Sequence, residues 1–340
     1  VTKKTGERKM ARRRAGTRNR AWIGWIVVVA VLITGTTSAL QVSRMHDTTP
    51  REVTYIVVPH PDDEFQAWSL IEDTPDQYKV FLVLTNGEQT QYCEPGGYAA
   101  SYQPGLEAAA DPIPDGRNGE KCGEARAHSL IDYISGMAKT DPTIPGDFAA
   151  PAVAGPFPAE AGTVCRKDGP DCTVEDHDAQ VWVDRQGRGA VVMLDLGDGD
   201  LTADEVRWGV STVVANRESL GLEHTLPNGG IFGSFANSRY DCFSYPHPDH
   251  VAVHDALWST NFNAGPQLAA TCADDPAGVI HRKVSDDVVE AAFAVDANGV
   301  RQGAHTYNYG WLDATYYPVD RRGQTELFTQ NQYFWTRFAP

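Results

Sequence analysis

The chain has 340 residues, with 29 basic and 45 acidic side chains and a formal net charge of −16. That length suits one large α/β domain or two small ones, and an apolar fraction of 41% supports a real core. The acidic balance argues against nucleic acid as a partner, because phosphates call for a basic surface.

Charge is unevenly placed. The first 20 residues hold nine Lys or Arg against Glu7 alone, and the rest of the chain carries 20 basic and 44 acidic side chains. Residues Ala21–Ile33 are apolar, and the small residues Thr34–Ala39 follow. Basic, apolar, small is the order of a secretory signal, with a cleavage point before Leu40. Read on to Leu40, the same run makes one membrane span of roughly 20 residues. On either reading residues 1–40 are a signal peptide or signal anchor and 41–51 a linker. The remainder is expected outside the cytoplasm, secreted or anchored to a membrane only through this segment. The six cysteines are an even number, as in a disulfide framework of an exported chain. Neighbour pairing gives Cys93–Cys122, Cys165–Cys172 and Cys242–Cys272.

Apolar strands then alternate with helical patterns. Thr54–Val58 and Lys79–Leu84 read as strands, with a short helix over Glu64–Ile71 between them. Glu124–Met137 has apolar residues at helical spacing. Ala190–Leu196 is a third strand, ending at Gly197-Asp198-Gly199. Thr202 with Glu205 three residues on reads as a capping box for the next helix. Gly230–Phe235 is a fourth strand and His250–Phe262 a further helix. The alternation predicts an α/β fold, Rossmann-like, with a mostly parallel sheet and helices on both faces. Tyr92–Lys121 and Thr140–Asp178, rich in Gly, Pro and Asp, read as Cys-bearing loop insertions. Beyond residue 276 the chain is aromatic and β-favouring, a C-terminal extension of added strands or a small β lobe.

Two motifs carry the chemistry. His60-Pro61-Asp62-Asp63-Glu64 follows a buried strand, and His247-Pro248-Asp249-His250 precedes an amphipathic helix. Ligands of open α/β sheets bind at that edge. Two histidines and one carboxylate suit a divalent metal of the zinc type with an open position, Fe2+ being an alternative. The bland reading makes Asp62 or Asp63 a helix N-cap and His60 a core histidine. Two such motifs in a chain of ten histidines weigh against it. His254, one turn after His250, reads as an H-x-x-x-H ligand partner or, more simply, a supporting or surface histidine.

The strand with Pro59-His60-Pro61-Asp62-Asp63-Glu64 resembles the A-H-P-D-D-E signature of the LmbE/PIG-L family of N-acetylglucosaminyl deacetylases. His247-Pro248-Asp249-His250 is similar to that family's H-P-D-H motif. Thr85-Asn86-Gly87-Glu88 and Glu124-Ala125-Arg126 resemble its two intervening segments, the likeness spanning roughly Thr54–Thr260. Pro59 departs from the usual Ala and leaves the ligands intact, whereas the insertions and the tail bear on substrate identity. The resemblance implies a catalytic domain over 52–275 with a packed extension over 276–340. It implies zinc held by His60, Asp63 and His250, and Asp62 as general base for the attacking water. It makes His247 an acid or oxyanion stabiliser, its ring held by Asp249. Arg126, Tyr245 and Glu88 are candidate substrate contacts. For Arg126 the competing reading is an ordinary surface salt bridge, for Tyr245 packing at a strand end, and for Glu88 a structural carboxylate. The expected activity is removal of an N-acetyl or other N-acyl group from an amino sugar in an extracytoplasmic glycan or glycoconjugate. Alternatives are a non-sugar amide at the same site, a glycan-binding module with a structural metal, and a membrane-surface adaptor using the aromatic tail. Tyr307, Tyr309 and Trp311, on one face of a strand, stand for a substrate rim or for buried core.

Overall fold

The computed structural model describes residues 49–94, 112–159, 176–235, 247–271, 279–307 and 330–338. Its strands arise where apolar runs are too continuous for an amphipathic surface. In β1 (Glu52–Val58) every residue from Val53 onward is buried, and β2 (Gln77–Val83) is equally buried after its first residue. Strands covered on both faces belong in the middle of a parallel sheet. β1 pairs in parallel with β2 on one side and with β6 (Asn228–Gly233) on the other. β5 (Gly189–Leu194) extends the parallel set beyond β2, and β7 (Gln267–Thr271) extends it beyond β6.

Both edges turn antiparallel. β3 (Ala152–Phe157) and β4 (His177–Val183) continue from β5. β9 (Asn331–Arg337) and β8 (Ile280–Lys283) continue from β7. The described strands form one nine-stranded sheet in the order β3-β4-β5-β2-β1-β6-β7-β9-β8. The fold is therefore α/β with a parallel centre, as expected. Strand β3 lies where the sequence reads as loop. Its exposure and its Gly and Pro give it only an edge position, where such residues are tolerated. The tail joins the main sheet through β8 and β9 and forms no lobe of its own among the described residues.

Helices cover both faces. α2 (Ala203–Ala215) and α3 (Pro248–Ser259) bring Val206, Val210, Val253 and Leu257 against Val53, Tyr55 and Val57. On the other face α1 (Glu120–Met137) and α4 (Asp286–Phe293) bring Leu130, Tyr133, Ile134 and Val288 against Ile56, Val58 and Phe81. Period two along β1 divides its side chains between these two cores. Thr202 caps α2 through the expected capping box with Glu205. The segment Glu64–Leu70 is a 3₁₀ helix, not an α turn. In that geometry residues i and i+3 eclipse, and Phe65 stacks on Trp68 with centroids 5.5 Å apart. Among the described residues no helix is long and apolar enough to cross a membrane. The N-terminal segment and the rings of Tyr309 and Trp311 lie outside the described residues.

Candidate metal centre

The parallel strands β1, β2, β5 and β6 end at one edge, and each hands a different piece of chain to the same place. β1 runs into His60-Pro61-Asp62-Asp63. Proline stiffens the first step, and Asp62 then adopts φ 114°, a conformation that L side chains avoid. This sharp turn lets Asp63 fold back on His60, with Oδ2 3.1 Å from Nδ1. From α3, which opens with Pro248, His250 places Nε2 3.2 Å from the same Asp63 oxygen. His60, Asp63 and His250 are all buried, and their ligand atoms lie within 4.8 Å of one another.

The surroundings prepare these side chains as ligands. His250 Nδ1 lies 2.5 Å from the Phe235 carbonyl at the end of β6. Nδ1 therefore carries a hydrogen, and Nε2, which faces Asp63, is the nitrogen available to a metal, the arrangement usual for a metal-binding imidazole. Gln66 donates to Asp63 Oδ1 at 3.1 Å, and its own oxygen accepts from Phe235 N at 2.5 Å. Burial alone would raise the Asp63 pKa, but the charges and hydrogen bonds of His250 and His60 outweigh it and hold the carboxyl well below its usual range. Burial likewise works against a charged His60, yet hydrogen bonds to Asp198, Asp249 and Asp63 carry its pKa well above the ordinary imidazole value. A cation is thus favoured at this point, as a proton or as a metal. Two imidazoles and a carboxylate fit a divalent transition metal.

Asp62 stands beside the donor set. Its Oδ2 is 3.0 Å from Arg126 Nη2, and the same guanidinium donates to the Pro61 carbonyl. Arg126 is only 3% exposed, so the surface salt bridge is not what forms. It reaches Asp62 across Gly87, where φ is +63° and an added Cβ would sit 3.0 Å from the guanidinium carbon. Glycine is needed there on both counts. The Thr85–Glu88 segment and the Arg126 helix therefore act together, which their separation in sequence conceals.

His247 is half-buried at the N-terminus of α3, with its ring 4.8 Å from that of His60. Burial, with His60 and His250 adding to it, lowers its pKa. Asp249 faces His247 Nδ1 only at 4.0 Å and His60 Nε2 at 2.9 Å, so His60 is the ring it holds directly. Asp249 also accepts from Gly199 N at 2.8 Å and Leu201 N at 3.0 Å. These bonds pull the loop after β5 over the site and bring in Asp198, which in the sequence is marked only as part of a strand-ending turn. Asp198 Oδ1 lies 3.2 Å from His60 Nε2. His60, Asp198, His247 and Asp249 form a second cluster of metal-ligand type sharing His60 with the first.

His254 is no member of either cluster. Its Nε2 lies 2.8 Å from the Ser234 carbonyl, and its Nδ1 accepts from Trp335 Nε1 at 3.3 Å. Glu88 is half-buried; burial raises its pKa, and its backbone carbonyl accepts from Asn118 N at 2.9 Å. Tyr245 lies outside the described residues. Cys93 and Cys122 are joined as expected, and the other four cysteines lie outside the described residues. The sequence matches no protein-family model and no curated protein.

Proposed function

We propose that this chain is a divalent-metal amide hydrolase that removes an N-acetyl group from an amino sugar of an extracytoplasmic glycan or glycoconjugate. The resemblance of its two motifs to the LmbE/PIG-L family implies that activity. The observation that carries the reading is the convergence of His60, Asp63 and His250 with Asp62 fastened beside them by Arg126. A purely structural ion needs no such extra carboxylate.

Zinc is the proposed ion, with Fe2+ the alternative, and when bound it supplies Lewis acidity toward the amide carbonyl and the attacking water. The rest falls to side chains. Asp62 removes the proton from the attacking water, and Arg126 holds it in place for that task. A new C–O bond forms and the C–N bond breaks. Asp62 returns the proton to the departing nitrogen, so acetate and a free amine result. His247, beside His60, donates a hydrogen bond to the oxyanion as it develops. Glu88 stays a candidate contact for the sugar, whereas Arg126, buried against Asp62, serves that carboxylate. The Cys93–Cys122 disulfide supports an extracytoplasmic setting, since such bonds persist where thiols are oxidised.

The test uses the purified full chain and a panel of N-acetylated amino sugars and oligosaccharides, with acetate release as readout. Activity should vanish with a chelator and return with zinc. Asp62→Asn should keep the metal and lose most turnover. Silence of the zinc-loaded protein on the whole panel would overturn the substrate class. Unchanged turnover in Asp62→Asn would overturn the role of that residue.

A further inference from the structure

We infer that Asp198 is a positioning residue for the metal ligand His60, and that the Cys93–Cys122 staple sets it through Gln89. The inference rests on the reading that His60 binds a divalent ion through Nδ1. It adds a dependence of that site on a disulfide some distance away along the chain.

His60 can ligate through Nδ1 only if the ring keeps its hydrogen on Nε2. Two carboxylates enforce this: Asp249 Oδ2 at 2.9 Å and Asp198 Oδ1 at 3.2 Å from Nε2. Asp249 is fixed by α3. Asp198 sits on a loop between two glycines at positive φ, Gly197 at 96° and Gly199 at 89°. Such a loop does not hold a carboxylate by itself.

Asp249 holds the backbone of this loop at Gly199 N and Leu201 N, and the Asp198 carboxylate itself is held by the segment after β2. Gln89 N donates to Asp198 Oδ2 at 2.6 Å, and the Gln89 amide donates to the Asp198 carbonyl. A Cβ at Gly199 would lie 2.5 Å from Gln89 Oε1, so the close cover of one loop by the other needs glycine there. Both Asp198 oxygens are thereby spoken for, one by Gln89 and one by His60, and the residue is 5% exposed.

Gln89 is held in turn. Four residues later Cys93 is bonded to Cys122 in the first turn of α1. Asn118 N donates to the Glu88 carbonyl at 2.9 Å just before that helix. Both cysteines are fully buried, so the bond is shielded from solvent. The sequence of contacts runs from disulfide to Gln89, to Asp198, to the hydrogen on His60 Nε2.

Zinc affinity, measured by competition with a chromophoric chelator on the full oxidised chain, tests this without reference to any substrate. Partners that orient a ligating histidine contribute roughly 10–100-fold in affinity. Asp198→Ala should weaken zinc by about that factor, while Asp198→Asn, which still offers an oxygen to Nε2, should recover much of it. Gln89→Ala should weaken zinc several-fold but add nothing when combined with Asp198→Ala. The Cys93→Ser/Cys122→Ser variant should behave as Gln89→Ala does. If it does not fold, the Gln89 and Asp198 pair decides alone. Zinc binding by Asp198→Ala within about twofold of the parent would overturn the inference, as would losses that multiply in the double variant. A parent chain that binds no zinc would instead overturn the metal-site reading beneath it.

Discussion

Asp249 offers the sharpest quantitative test of how the site is built. It is fully buried and accepts three hydrogen bonds, from His60 Nε2 at 2.9 Å, Gly199 N at 2.8 Å and Leu201 N at 3.0 Å. In Asp249→Ala the Leu201 N–H stays buried and the Gly199 N–H half-buried with that acceptor removed, while His60 Nε2 keeps Asp198 Oδ1 at 3.2 Å. Each stranded donor costs about 1–3 kcal/mol, so the two backbone N–H groups together should cost about 2 kcal/mol at least and approach about 6 kcal/mol if no water enters. Asp249→Asn keeps one acceptor oxygen but turns an NH2 group toward one of the remaining N–H donors, and should fall between Ala and the parent. Urea unfolding in the presence of a chelator isolates the folding term from metal binding. A lower midpoint with an unchanged slope is the expected signature. In separate zinc competition Asp249→Ala should also lose roughly 10–100-fold in affinity. A folding loss under about 1 kcal/mol would refute the reasoning, because it would mean that the Gly199 and Leu201 N–H groups do not depend on Asp249.

Glu64 is fully buried beside Asp62 and Asp63, and burial is the main cause that pushes its pKa from 4.5 up to about 8. A folded-state value above the unfolded one gives stability at low pH that is lost as pH rises through 8. In chelated protein, Glu64→Gln should match the parent near pH 4.5 and become the more stable by up to about 5 kcal/mol above pH 8. Thermal melts across that range check it, and parallel curves for the two proteins would contradict it. The Cys93–Cys122 disulfide closes a 29-residue separation, so its removal should cost about 3.5 kcal/mol by chain entropy. Denaturant midpoints of the parent and of Cys93→Ser/Cys122→Ser, both oxidised, measure the difference, and equal midpoints would deny the staple any stabilising role. Gly87→Ala should push Arg126 off Asp62 and strain the backbone at φ +63°, lowering stability by about 1–3 kcal/mol. A crystal structure of the variant with the Arg126–Asp62 pair intact would rule this out.

The sheet centre could be read from sequence because β1, β2 and β5 are nearly unbroken apolar runs, which only a strand covered on both faces accommodates. The donor trio was legible for a related reason. His60 and Asp63 are local to one strand-end turn, and His250 opens a helix marked by Pro248. Strand β3 was not legible, since an edge strand needs neither continuous burial nor a full ladder. Its Gly and Pro look like loop until β4 arrives to pair with it. The partners of the site were hidden for a further reason. Whether Asp249 holds His247 or His60, and whether Arg126 lies at the surface or beneath Asp62, depends on distances across 50 to 190 residues of chain. Local pattern determines which residues form strands and turns. Only the packing of β1, β2, β5 and β6 at a common edge decides which polar groups meet there, because a buried donor takes the acceptor that the fold puts in reach.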